Sequence, residues 1–207
     1  MRRKNTKQAF TDAYYRMLAE KGYAAIGVNG LAREAETQKN YYYRDFGSKD
    51  VLVMEHAKEY DYWCTCMDMI NTDGLGKPEK ADRLQEVIIA VLQNQLFDYY
   101  TDAALREMIT HSLDKAMDPV QRAISDRRDA EGERLLQYSD QLFGKYGKHF
   151  RAMMGVLVGG TDFVALHARN NRSAICGLDP NDPRVFDLFL KLIAQLVVGA
   201  FQKLRKH

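Results

Sequence analysis

The chain has 207 residues, 46% hydrophobic and 28% charged, with 4 Pro, 14 Gly and a formal net charge of +2. That balance excludes a disordered polar tail, a collagen-like repeat and a membrane bundle. It leaves one large globular domain, or a small one joined to a larger. The charge is unevenly placed: the first fifty residues carry ten Lys/Arg against six Asp/Glu, the remainder 20 against 22. A basic head on a mildly acidic body points to a polyanion contacted by the N-terminal part.

Hydrophobic spacing is helical almost throughout, and no six-residue stretch alternates as a half-buried strand would. A first helix is predicted over roughly 5–21, closed by Gly22. Residues 28–35 (VNGLAREA) form a short helix with Leu31, Ala32 and Ala35 inward, and 38–44 a second one. Ser48 is the predicted N-cap of a long helix reaching about Asn71. NTDGLGKP (71–78) reads as a loop, with Pro78 in the first turn of the next helix. Its GLGK lacks the full phosphate-loop pattern and follows no strand, so it is taken as a surface turn. In 84–96, Leu84, Val87, Ile88, Val91, Leu92 and Leu96 recur at three and four residues. Asp118-Pro119 opens a helix to about 143, broken at Gly144 and Gly147, and Asp182-Pro183 opens a last helix to about 204. The expected fold is all-α with about nine helices: a three-helix head over 1–50 and a larger helical body over 51–207.

Three cysteines (Cys64, Cys66, Cys176) make no disulfide framework, and an odd count fits a reducing compartment. Cys64 and Cys66 lie two apart on a helix and point ~200° from each other, so with His56 they make no shared metal site. No metal and no cofactor are expected. The start MRRKNTKQ has no apolar signal region and no run approaches ~18 uncharged apolar residues, so a cytoplasmic protein without a membrane partner is expected. Asn171-Arg172-Ser173 matches a glycosylation acceptor, read as chance without a secretion signal.

The informative stretch is QKNYYYRDFGSK at 38–49. Successive helical residues step by ~100°, so Tyr41, Tyr42 and Tyr43 fan over roughly 200° and cannot share a face. One must point inward and one outward, next to Lys39, Asn40 and Arg44. Two short helices joined by a tight turn after a longer helix form the helix-turn-helix plan, whose second helix enters the major groove.

Residues 10–53 resemble the DNA-binding domain of the tetracycline-repressor (TetR) family. The pattern runs ungapped through Leu18-Ala19-Glu20-Lys21-Gly22-Tyr23, then Val28-x-x-Leu31-Ala32-x-x-Ala35. It ends in Tyr43-Arg44-x-Phe46-Gly47-Ser48-Lys49-x-x-Leu52. The resemblance implies that Tyr42 anchors the recognition helix, that Tyr43 meets a phosphate and that Tyr41 faces the bases. Lys39 and Asn40 lie groove-side, where Lys favours guanine and Asn adenine. Lys49 meets a phosphate beside the Ser48 cap, and Asn29 and Gln38 complete the set. Three positions depart from the pattern: Glu36 replaces the glycine of the turn, Gly27 a Ser/Thr cap, and Asp45 a histidine. Glu36 and Asp45 should weaken DNA binding unless neutralised by Arg44 or Lys49. The basic tail Arg2-Arg3-Lys4 has the reach to touch the minor groove or backbone.

The body then reads as an effector-binding and dimerisation domain. Residues 152–168 are apolar nearly all round, and so is the last helix. A two-fold homodimer through a four-helix bundle is expected, using Val156, Gly160, Phe163, Phe189, Ile193, Leu196 and Ala200. Middle-helix aromatic and Met residues, chiefly Trp63, Met67, Met108 and His111, with Met117 nearby, suit a pocket for a small, largely apolar effector, or are plain core. No nucleophile–base pair or cofactor motif stands out, so no enzyme is expected, although a helical enzyme built from scattered residues stays open. Two binding readings remain: a repressor of a pseudo-palindromic double-stranded DNA operator, and a co-regulator whose head binds a protein instead.

Overall fold

The computed structural model describes residues 5–113 and 119–204. The Arg2-Arg3-Lys4 tail, Met117 and the Asp118 cap lie outside the described residues. Among those described there are nine helices of seven residues or more, a five-residue helix, and no strand beyond an isolated Ile175–Leu178 bridge. The fold is all-α, as the spacing predicts. The helices are α1 (Thr6–Lys21), α2 (Val28–Glu34), α3 (Lys39–Asp45), α4 (Lys49–Tyr60) and α5 (Tyr62–Cys66). They continue with α6 (Ala81–Thr101), α7 (Ala103–Ser112), α8 (Pro119–Phe143), α9 (Gly147–Leu166) and α10 (Pro183–Leu204). The chain divides into two compact units, residues 1–65 with 102–128 and residues 66–101 with 129–207.

In the first unit α1 is the central element, packing on α2, α3, α4 and α7. Phe10, Ala13, Tyr14, Met17 and Leu18 fall at three- and four-residue steps and are all buried. Each large side chain so buried stabilises by roughly 1.5–3 kcal/mol. Asn5 caps α1 by accepting from the Gln8 N–H, and Gly22 ends it at φ 75°. A side chain at Gly22 would be strained in that conformation, and its Cβ would meet Glu107 Oε1 at 2.8 Å.

The long helix predicted from Ser48 to Asn71 is instead cut at Asp61. Ser48 caps α4 as expected, but Asp61 is extended (φ −71°, ψ 130°) and closes it. The break is a capping site: Asp61 Oδ1 accepts from the Cys64 N–H, starting α5. Asp61 Oδ2 takes Arg128 through both Nε (2.9 Å) and a terminal nitrogen (2.5 Å). This ion pair is almost wholly buried, and nothing in local spacing announces a partner 67 residues away.

In the second unit α6 packs on α9 and α10. Leu84, Ile88, Leu92, Leu96 and Tyr99 of α6, Met154, Leu157 and Val164 of α9, and Ile193, Val197 and Phe201 of α10 are all buried. Phe143 stacks on Phe150 at 4.1 Å and Phe201 meets both edge-on. Gln95 Nε2 donates to Asp162 Oδ1 at 2.6 Å. By length and composition α10 is apolar enough to cross a membrane, with a mean hydropathy of 1.6. The search for an uncharged run misses it because Asp187 and Lys191, an ion pair one turn apart, interrupt it. Its buried face of Ile193, Val197 and Phe201 also fits the core helix of a folded unit.

Candidate nucleic-acid interface

The turn between α2 and α3 sets the geometry of the whole site. Glu36 is left-handed, φ 51°. The Glu36 N–H donates to Arg33 O (3.1 Å) and the Thr37 N–H to Ala32 O (2.9 Å), the two bonds of a Schellman motif with glutamate where glycine is preferred. The conformation that a glycine would supply is therefore required and kept, at a cost of ~1–2 kcal/mol. Gly27 caps α2 without a side-chain bond, as expected.

Helix α3 is fixed from beneath by Tyr42. Its ring is fully buried, edge-on to Phe10 at 5.4 Å and tilted against Phe46 at 5.6 Å. The three tyrosines divide as the helical step demands: Tyr41 is 36% exposed, Tyr42 0% and Tyr43 55%. Asn29, Gln38, Lys39 and Asn40 are also exposed. Six of the seven residues singled out for DNA contact thus stand on the surface of the first unit.

Lys49, the seventh, is held differently from expectation. Its ammonium lies 3.7 Å from the centre of the Tyr23 ring and 3.5 Å from Tyr23 O. That packing draws it to the short 3-10 turn Tyr23–Ala25 that follows α1, leaving it half-buried. Asp45, suspected of repelling a phosphate, is neutralised by its neighbour. Arg44 binds it through Nε (2.7 Å) and a terminal nitrogen (2.9 Å), and Thr6 Oγ1 donates to it at 2.7 Å. The Arg44 hydrogen bond, then that of Thr6, lowers the Asp45 pKa. The Arg44 guanidinium also sits 4.8 Å from the Tyr41 ring centre and donates to Thr6. This clamp ties the end of α3 to the start of α1, and the sequence reading identified only its Arg44–Asp45 half.

The remaining candidates are placed as follows. Trp63, Met67 and Met108 are buried, and His111 stacks on Tyr23 at 4.1 Å. In the second unit a cavity of about 440 Å³ is lined by Phe143, Tyr146, Phe150, Met153, Leu196 and Ala200, with His149 and Lys203; none of the four anticipated effector contacts is among its lining residues. Of the residues named for a dimer face, Val156 (75% exposed), Gly160, Phe163 and Leu196 lie on the surface. Phe189 and Ala200 are half-buried. Ile193 is the correction: at 5% exposed it belongs to the unit's own core, and the outward stripe of α10 runs through Leu188, Leu192 and Leu196.

Ser173 Oγ lies 2.7 Å from His167 Nε2, within nucleophile–base reach. The other ring nitrogen meets the Asn171 amide N–H at 3.0 Å. The partner orienting the ring is an exposed amide rather than the buried carboxylate of a catalytic triad.

Residues 10–55 match the family described as bacterial regulatory proteins, tetR family. No curated protein matches the chain. Among solved structures, a TetR family transcription regulator from Marinobacter aquaeolei VT8 superposes with a TM-score of 0.58 at 15% identity, covering 92% of this chain and 94% of that one. NalD of Pseudomonas aeruginosa, the secondary repressor of the MexAB-OprM multidrug efflux pump, gives 0.57 at 15% identity, covering 97% of each chain. At that identity the likeness concerns the fold alone. Residues 10–55 thus carry the helix-turn-helix of the tetR family of bacterial regulatory proteins, on a chain with the all-α fold of these neighbours.

Proposed function

We propose that the chain is a sequence-specific DNA-binding transcriptional regulator, acting as a cytoplasmic homodimer on a pseudo-palindromic operator and released from it by a small, largely apolar effector. The observation carrying this is the face of α3: Lys39, Asn40, Tyr41 and Tyr43 are exposed together above the buried Tyr42 anchor. Lys39 and Asn40 supply donors suited to purine edges, Tyr41 a ring for a thymine methyl, and Tyr43 a phosphate-facing hydroxyl. Asn29 and Gln38 flank them. The Arg44–Asp45 clamp supports this reading, because it neutralises Asp45, one of the two carboxylates (with Glu36) that motivated a protein-binding head.

The domain assignment follows function: residues 1–50 read DNA, and 51–207 dimerise and bind the effector. The exposed stripe of Val156, Gly160 and Phe163 with Leu188, Leu192 and Leu196 supports the dimer. Large apolar side chains exposed at this density along two helices are characteristic of a partner surface. The apolar cavity beside that stripe supports an effector with little polarity. Repression is carried over from the P. aeruginosa neighbour as part of the proposal. The protein acts by binding, without catalysis.

Fluorescence anisotropy with the selected duplex, over a series of salt concentrations, tests the face directly. Asn40→Ala should relax preference at one base pair by ~1–3 kcal/mol, whereas Tyr43→Phe should weaken all sequences alike. Equal affinity of wild type and Asn40→Ala for every sequence would remove α3 from the interface.

A further inference from the structure

We propose that a cavity in the first unit, walled by α1, the end of α4 and the start of α7, binds an organic cation. The cavity measures about 380 Å³ and is lined by Asp12, Tyr15, Arg16, Tyr60 and Asp102. Its location and chemistry set it apart from the exposed face of α3. That face offers donors to an anion, whereas this cavity offers carboxylates and aromatic rings.

The charge at the cavity is negative. Asp12 uses one oxygen to accept from Gln8 Nε2 at 3.0 Å. Asp102 accepts the Ala104 and Leu105 N–H groups through Oδ1, capping α7, and the Tyr15 hydroxyl through Oδ2 at 2.7 Å. The one cationic lining residue, Arg16, is compensated outside the cavity: its Nε donates to Glu34 Oε1 at 3.0 Å and a terminal nitrogen to Glu34 O at 3.2 Å. Two carboxylates against a cation already paired leave a site that attracts positive charge.

The rings give that charge a specific host. Tyr15 and Tyr60 lie 6.0 Å apart, tilted by 41°. Against them sits His56, fully buried, stacked on Tyr60 at 4.8 Å and 5.9 Å from Tyr15. Neither nitrogen of His56 has a hydrogen-bond partner, an unusual state for a fully buried imidazole. Burial lowers its pKa to about 4, so behind the two lining rings the imidazole is neutral near neutral pH and does not repel a cation. Aromatic faces beside carboxylates form the environment that recognises alkylammonium groups, where cation–π attraction and charge act together.

The test uses the full chain without DNA, so its result is independent of whether α3 binds an operator. Choline and its uncharged isostere 3,3-dimethylbutanol are titrated by isothermal calorimetry and by proton NMR of the tyrosine rings. Choline should bind saturably, at least tenfold more tightly than the alcohol. Asp12→Asn, an exposed position that leaves the α7 cap intact, should weaken it about tenfold. Tyr60→Leu should do the same, whereas Tyr60→Phe, which keeps the ring, should stay within about twofold. Circular dichroism confirms that each variant is folded. Equal binding of the alcohol, no effect of Asp12→Asn, or no saturation by choline up to about 50 mM would each overturn the proposal.

Discussion

Glutamate at position 36 holds a backbone shape that suits glycine, and replacing it separates conformation from charge. A non-glycine residue in the left-handed region costs ~1–2 kcal/mol. Glycine recovers that, but gives back ~0.4–1 kcal/mol through the freer unfolded chain. Glu36→Gly should therefore stabilise the fold by about 1 kcal/mol, which for a chain of this length raises Tm by roughly 2–4 °C. Glu36→Ala keeps the strained φ of 51° and removes the carboxylate with whatever that carboxylate touches. It therefore measures the side-chain contribution alone. Asparagine, which tolerates this region better than alanine, should fall between them. Thermal unfolding followed by far-ultraviolet circular dichroism gives the ordering Gly above Asn above Ala. A glycine variant no more stable than the alanine variant would refute the claim that the turn is strained.

His56 makes stability depend on pH. Its folded pKa is depressed to about 4 by burial, against ~6.5 unfolded. Its contribution is then complete above about pH 6.5 and lost as pH falls toward 4, about 3 kcal/mol in all. Urea unfolding across that window should show the loss, and His56→Phe should flatten it. Arg128→Leu strands the buried Asp61 carboxylate and should cost ~3–5 kcal/mol. The double variant with Asp61→Asn should recover most of this in chemical denaturation, since the amide oxygen still caps α5. Leu196→Glu, on the exposed stripe of α10, should convert a dimer to monomers in sedimentation velocity. A wild type sedimenting as a monomer at micromolar concentration contradicts the dimer reading.

What the sequence discloses here is whatever depends on local spacing. The 3.6-residue period places α1, α6 and α10, Asp182-Pro183 places the start of α10 and Ser48 that of α4, and three adjacent tyrosines must divide between core and surface. The positive φ at Glu36 is signalled by the family resemblance, which has glycine at this turn. Long-range pairing escapes this logic. Asp61 looks like one more polar residue in a helix until Arg128, distant in sequence, reaches it. Lys49 is legible as a basic residue beside a cap, yet the Tyr23 ring decides where its charge goes. Ile193 shares the composition of its neighbours on α10, and only the packing of α6 and α9 tells which side of that helix is core. The acid-and-tyrosine cavity draws on residues 12, 15, 60 and 102, which no periodicity relates.

The central claim is that the exposed face of α3 reads duplex DNA, and selection of bound duplexes from a randomised pool tests it most directly. The account predicts enrichment of a two-fold related sequence, bound less tightly as salt rises and changed at one position in each half-site by Asn40→Ala. A pool that remains random after repeated rounds, or an enriched sequence indifferent to Lys39, Asn40 and Tyr41, would contradict it.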